Sequence, residues 1–169
     1  MADAAKKPLI IKLLIAAAIL LAVVIGMRIY SAGDRAPLTD FRLIDGRTVR
    51  TDTFRGKVLV VNFWATNCSP CVAEMPHLVD SYERFHDRGF DIIAVAMSYD
   101  RPDYVVNFAN ARNLPFSVAY DATGGVAHSW GQIRSTPTTF VIDRKGHVVE
   151  QFVGMVNMEQ FNRLIDELL

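Results

Sequence analysis

Cys68 and Cys71 are the only two cysteines in this 169-residue chain, and they stand in the run Cys68-Ser69-Pro70-Cys71. Two intervening residues bring the second thiol back within reach of the first, so the pair can exist as a dithiol or as a disulfide. The segment WATNCSPC, residues 64–71, leaves an apolar, β-branched stretch and enters a helical pattern. That places Cys68 at or just before a helix N-terminus, where unpaired N–H groups and the helix dipole favour a thiolate. Pro70 fits the first turn, where no backbone donor is needed. A four-residue disulfide loop contributes little entropy as a staple, so redox work is the expected use of the pair rather than a fixed cross-link. Glu74 follows Cys71 by three residues, about one helical turn on. It is either a solvated helix glutamate or a partly buried carboxyl with a raised pKa, able to trade a proton with Cys71.

Other chemistries fit less well. His77, His86, His128 and His147 are dispersed, whereas a zinc site wants four ligands at set spacing. Position 72 is Val, so the haem-attachment pattern C-x-x-C-H is absent. Lys and Arg together number 18 and Asp and Glu also 18, with no basic run beyond the first 12 residues. The basic face that nucleic acid requires is therefore missing.

The elements that must position the cysteines can be read from the pattern. Residues 57–65, KVLVVNFWA, form a continuous apolar run suited to a central strand buried on both faces. After the cysteines, Met75, Leu78, Val79, Tyr82 and Phe85 recur at helical spacing, and Gly89 ends that helix. Residues 90–97 read as a second buried strand, 102–113 as a helix, 116–120 as a short strand and 124–131 as a short helix or turn. Residues 138–143 and 147–153 form a hairpin around Lys145-Gly146. Asn157 caps a final helix, with Gln160 placed like its capping-box partner. Upstream, Phe41, Leu43, Thr48 and Val49 flank Asp45-Gly46, a strong hairpin signal. Strands alternate with helices and then close in a hairpin, which predicts an α/β fold with a mixed sheet flanked by helices.

The composition is 51% hydrophobic, and the excess is concentrated at one end. Residues 9–27 are apolar except for Lys12. At about 1.5 Å per residue they match the ~30 Å hydrocarbon core. The run is longer than a cleavable signal's, and Arg28-Ile29-Tyr30 is a poor cleavage context. The expected organisation is a cytoplasmic N-terminus at 1–8, a signal anchor at 9–29, a linker at 30–37 and a catalytic domain at 38–169. Lys6, Lys7 and Lys12 precede the segment, so the positive-inside rule places that domain outside a bacterial inner membrane, where disulfides persist.

On the motif VVNFWATNCSPC, with Glu74 and Pro76 after it and Ser135-Thr136-Pro137-Thr138-Thr139-Phe140 further on, the chain resembles the thioredoxin superfamily. Within it, the chain is similar to membrane-tethered thiol–disulfide oxidoreductases of the TlpA/ResA type. The resemblance covers about residues 36–169 and implies a thioredoxin-like fold with an N-terminal hairpin extension. It implies Cys68 as nucleophile, Cys71 as resolving cysteine and Glu74 as a proton-handling group. Pro137 takes the place of a cis-proline facing the pair, which exposes the Thr136 backbone to an extended client. Trp64, Asn67, Ser69, Pro70 and Thr136 are the residues expected to form the client-binding region, Trp64 more as active-site packing than as a stacking contact. It also implies no cofactor beyond the redox-active disulfide, a membrane thiol transporter of DsbD/CcdA type as electron donor, and apocytochrome c among the clients. The usual peroxiredoxin pattern does not fit around Cys68.

Two positions depart from pattern. Asn62 stands where ordinary thioredoxins carry a buried Asp, which shifts proton handling towards Glu74. Asn67 stands where the family usually has a Trp, so an apolar wall beside Cys68 is missing. No cation lies between the cysteines to stabilise the dithiol form, so the pair is expected to run as a reductant. The alternatives are a thiol oxidase, a thiol peroxidase, and a copper chaperone binding through Cys68, Cys71 and His77.

Overall fold

The computed structural model describes residues 15–22 and 34–169. The chain divides into two units, 1–33 and 34–169. In the first, residues 15–22 are helical, and among the described residues no helix is long and apolar enough to cross a membrane. The expected cytoplasmic N-terminus, the anchor apart from 15–22, and the first half of the linker, 30–33, lie outside the described residues.

The second unit is built on a five-stranded sheet in the order β5-β4-β3-β6-β7. Its strands are β3 (Val58–Trp64), β4 (Phe90–Ala96), β5 (Ser117–Tyr120), β6 (Thr138–Ile142) and β7 (Val148–Val153). β4 runs parallel to β3 and to β5, while β6 runs antiparallel to β3 and β7. All seven residues of both β3 and β4 are buried, as a two-sided apolar run requires. A separate hairpin of β1 (Asp40–Arg42) and β2 (Thr48–Arg50) turns at Asp45-Gly46, where Gly46 adopts φ 88° and the Asp45 side chain accepts the Arg47 N–H. Ile44 N–H donates to Val118 O, and Leu43 bridges Ala119. The hairpin thereby covers the open edge of β5, a position that otherwise invites pairing with another chain.

Four helices flank the sheet: α1 (Ser69–Phe85), α2 (Pro102–Ala111), α3 (Gly125–Ser129) and α4 (Met158–Leu168). Alternation along β3 divides the core in two. Val58, Val60 and Trp64 join Met75, Leu78 and Phe85 of α1 and Phe161 and Ile165 of α4. Leu59, Val61 and Phe63 point the other way, to Phe41, Trp130 and Phe140. Trp130 is buried there, its indole N–H donating to Thr39 Oγ1 at 3.0 Å.

Element ends follow local chemistry. α1 gives way at Phe85 to a 3-10 turn, His86–Arg88, before Gly89 stops the chain at φ 95°. α2 ends at Ala111, two residues before the expected 113, because Asn113 takes a left-handed conformation at φ 46°, which Asn tolerates better than most side chains. The 3-10 turn Thr51–Phe54 has no periodic signature. Asn157 Oδ1 accepts the Gln160 N–H at 3.1 Å, a cap worth about 1 kcal/mol to α4.

Candidate active site

The site forms where β3 ends. Cys68 is the N-cap of α1, with Ser69 and Pro70 in the first turn. The Cys71 N–H donates to Cys68 Sγ at 3.3 Å, so one of the helix's free donors points at the first sulfur. The two sulfurs are joined in a disulfide with Cα atoms 5.2 Å apart. The cysteines differ sharply in access. Cys68 is half-buried and flanked by exposed Asn67, Ser69 and Pro70, whereas Cys71 is 2% exposed and packs in the core with Trp64 and Met75. An incoming sulfur can reach the first and not the second.

Glu74 is also 2% exposed, so the choice left open by sequence goes to the buried carboxyl. Its Oε2 accepts the Val156 N–H at 3.0 Å, and Asn62 Nδ2 lies 3.5 Å from Oε1. Asn62 shares the strand parity of Val60 and Trp64, which turns its side chain towards α1. Its firmer bond is to Thr139 Oγ1 at 2.9 Å. Burial pushes the Glu74 pKa above the ordinary glutamate value, while the Val156 N–H and the charge of His77 pull it back. Desolvation therefore leads, and protonated Glu74 is favoured over a wider pH range than in water.

The Thr136–Pro137 peptide bond is cis. β3 and β6 are in register up to Phe63↔Thr138. One further step along that antiparallel ladder sets Pro137 opposite Trp64, at the end of the sheet from which the Cys68 loop departs. Pro137 is buried, Thr136 half-buried, and Pro137 O accepts the Gly154 N–H from the loop after β7.

One expected role changes. Trp64 has no exposed surface and packs against Phe108, ring centroids 5.0 Å apart. A client cannot touch it. Its place is corrected from client contact to the inner wall behind Cys71, because alternation turns its ring to the α1 side of a strand that is buried on both faces. Its Nε1–H has no hydrogen-bond partner among the described residues.

Three contacts at the site were not anticipated. The Asp100 carboxylate, in the loop after β4, accepts the Thr66 N–H and, at 2.7 Å, the Thr66 hydroxyl. Tyr99 and Thr136 join through their hydroxyls at 3.2 Å. Val156 N–H, on the far side of β7, fixes Glu74. All three link residues at least 34 apart in sequence, and no local motif marks them. The one usable signal is an acidic residue, Asp100, four positions after the end of a buried strand that lies beside the strand leading to the cysteines.

The redoxin family model matches residues 31–166. The chain is similar to the thiol-disulfide oxidoreductase ResA of Oceanobacillus iheyensis, at 34% identity over 94% of this chain and 85% of that protein. It is similar to ResA of Bacillus thuringiensis subsp. konkukian at 33% identity, over 80% of this chain and 78% of that one. Among solved structures, a thiol:disulfide interchange protein of the thioredoxin family from Chlorobium tepidum superposes with a TM-score of 0.74 at 28% identity. That match covers 80% of this chain and 96% of the other. With a C-x-x-C disulfide at a helix N-terminus, a cis-proline beside the strand that carries it, and relatives of this extent, the chain belongs to the redoxin family of the thioredoxin superfamily, as a thiol–disulfide oxidoreductase of the TlpA/ResA type.

Proposed function

We propose that this oxidoreductase works as a reductant of protein disulfides outside the cytoplasm, with Cys68 attacking and Cys71 resolving. The observation that carries the assignment is the difference in access, a half-buried Cys68 beside a Cys71 that is 2% exposed. In the cycle, Cys68 thiolate attacks one sulfur of a client disulfide. The client's other sulfur leaves as a thiolate and takes up a proton. Cys71 then gives its proton to the Glu74 carboxylate and attacks Cys68 Sγ. The client's second sulfur departs as a thiolate that takes up a proton from solvent, and Glu74 returns its proton to solvent. Two electrons pass to the client, and the enzyme is left as the Cys68–Cys71 disulfide. Asn67, Ser69 and Pro70 flank Cys68 in the chain and, with Thr136, meet the client strand. Recharging requires an electron source, for which a membrane thiol transporter of DsbD/CcdA type is the fitting class. The apolar run 9–27 supports a single-pass anchor at 9–29 in a bacterial inner membrane, with 38–169 on the outer side. Apocytochrome c, whose haem-attachment cysteines must be reduced, is a fitting client.

The test is a glutathione or dithiothreitol titration of the Cys68–Cys71 couple in the full-length chain. A potential near or below about −230 mV is expected, in the range of reductants such as thioredoxin. A value near about −120 mV would place the protein with oxidants and overturn the direction, leaving the site in place.

A further inference from the structure

The two halves of the site arrive on different segments. Residues 65–68 leave β3 and residues 135–137 enter β6, and the ladder between those strands stops at Phe63↔Thr138. Beyond that point, among the described residues, no backbone hydrogen bond joins one loop to the other. Both loops are instead held from a third, by neighbouring side chains. Asp100 accepts the N–H and hydroxyl of Thr66, two residues before Cys68, and Tyr99 bonds the hydroxyl of Thr136, the residue before Pro137.

We infer that Tyr99 and Asp100 form a clamp, a pair of positioning residues that sets the Cys68 loop at a fixed distance from the Thr136–Pro137 loop. The third loop is itself anchored. Met97 N–H donates to Trp64 O, Asp100 N–H donates to Met97 O, and the Tyr120 hydroxyl reaches Ser98 O at 3.3 Å and Asp100 O at 3.1 Å. Asp100 is 7% exposed and has no cation partner among the described residues. Its oxygens are filled by Thr66 and by the Arg101 N–H at 2.8 Å, an arrangement that takes donors only and so fixes its orientation. Tyr99, by contrast, is 58% exposed, so its ring contributes little to the core and its hydroxyl is the part that holds something. The inference rests on the reading that a client strand pairs along Thr136. For such a client, the reacting sulfurs align only if Cys68 and Thr136 are correctly spaced, and a displacement of about 1 Å can cost up to 10²-fold in rate.

The experiment compares two disulfides on the full-length chain, recycled by dithiothreitol. One is insulin, whose chain lies along both loops if clients pair along Thr136. The other is hydroxyethyl disulfide, which needs Cys68 alone. Tyr99→Phe removes a single neutral hydrogen bond and is expected to lower kcat/KM for insulin by roughly three- to tenfold, through KM, and to leave hydroxyethyl disulfide unchanged. Asp100→Asn turns one acceptor into a donor. It is expected to slow both substrates roughly tenfold and to shift the pH profile of Cys68 alkylation, which a loss of overall stability would not do. Should Asp100→Asn fail to fold, Thr66→Val removes the same hydroxyl contact and is expected to act in the same direction. The double variant Tyr99→Phe/Asp100→Asn should be less impaired than the product of the single effects, as for two ends of one device. Wild-type behaviour of Tyr99→Phe on both substrates would overturn the clamp, as would equal slowing of both or simple multiplication in the double variant. A wild-type chain active on hydroxyethyl disulfide but inert towards insulin would overturn the client-pairing reading, and the clamp with it.

Discussion

Cys71→Ser is expected to turn the protein from a catalyst into a trap. Cys68 remains half-buried at the helix N-terminus, so its thiolate still attacks a client disulfide. With no second sulfur one turn inside the helix, the mixed disulfide stays intact. Turnover falls to the uncatalysed background, and a client–enzyme adduct that dithiothreitol removes accumulates on non-reducing gels. Cys68→Ser should also abolish turnover but trap nothing, because Cys71 is sealed in the core with Trp64 and Met75. Equal trapping by the two variants would reverse or erase the assignment. Unfolding does not confuse the comparison. The disulfide closes a loop of sequence separation 3, for which the chain-entropy estimate is only about 2 kcal/mol, a cost both variants share.

Glu74→Gln is expected to slow resolution of the mixed disulfide by about 10²-fold, the lower end of what a positioned proton acceptor supplies. Burial raises the Glu74 pKa, so in the wild type the carboxylate needed to take the Cys71 proton is depleted as pH falls through that raised value. The wild-type rate of resolution should therefore fall on the acid side, and the Gln variant should lack that limb. Stopped-flow release of the second client thiol as a function of pH checks both. An unchanged acid limb in the variant would remove Glu74 from the mechanism.

The stability sign is opposite to that of a salt-bridged acid. The folded state holds the Glu74 proton more tightly than the unfolded chain, whose value is about 4.3. This contribution is fully present below about 4.3 and is lost as pH rises through the raised folded pKa. Gln removes that decline, though its amide N–H would face Asn62 Nδ2, now 3.5 Å from the carboxylate. Urea midpoints measured across this range should slope downwards for the wild type and less so for the variant.

The parts of the site that were legible in sequence are those fixed by local rules. β3 announced itself by the apolar run 57–65, α1 by its apolar spacing, and α4 by the Asn157 cap. The cysteine spacing identified the couple, and the two-residue period along β3 sets which buried face Trp64 joins. Asn62 and Trp64 share the parity of Val58 and Val60, and that face is interior. Asp100, Tyr99 and Val156 could not be read, because their partners are set by how loops meet after the sheet has formed. The docking of the β1–β2 hairpin on β5 is of the same kind, since a hairpin signal carries no information on which edge it will cover.

The division of the core into two faces gives the molecule an optical gauge of its own. Its two indoles are segregated. Trp64 shares a cluster with Cys71, and Trp130 lies across the sheet, bonded to Thr39 and packed among Phe41, Phe63 and Phe140. A disulfide quenches a nearby indole, so Trp64 emission is expected to rise when the couple is reduced and Trp130 emission to stay nearly constant, which a fluorescence titration with dithiothreitol on Trp64→Phe and Trp130→Phe variants would check.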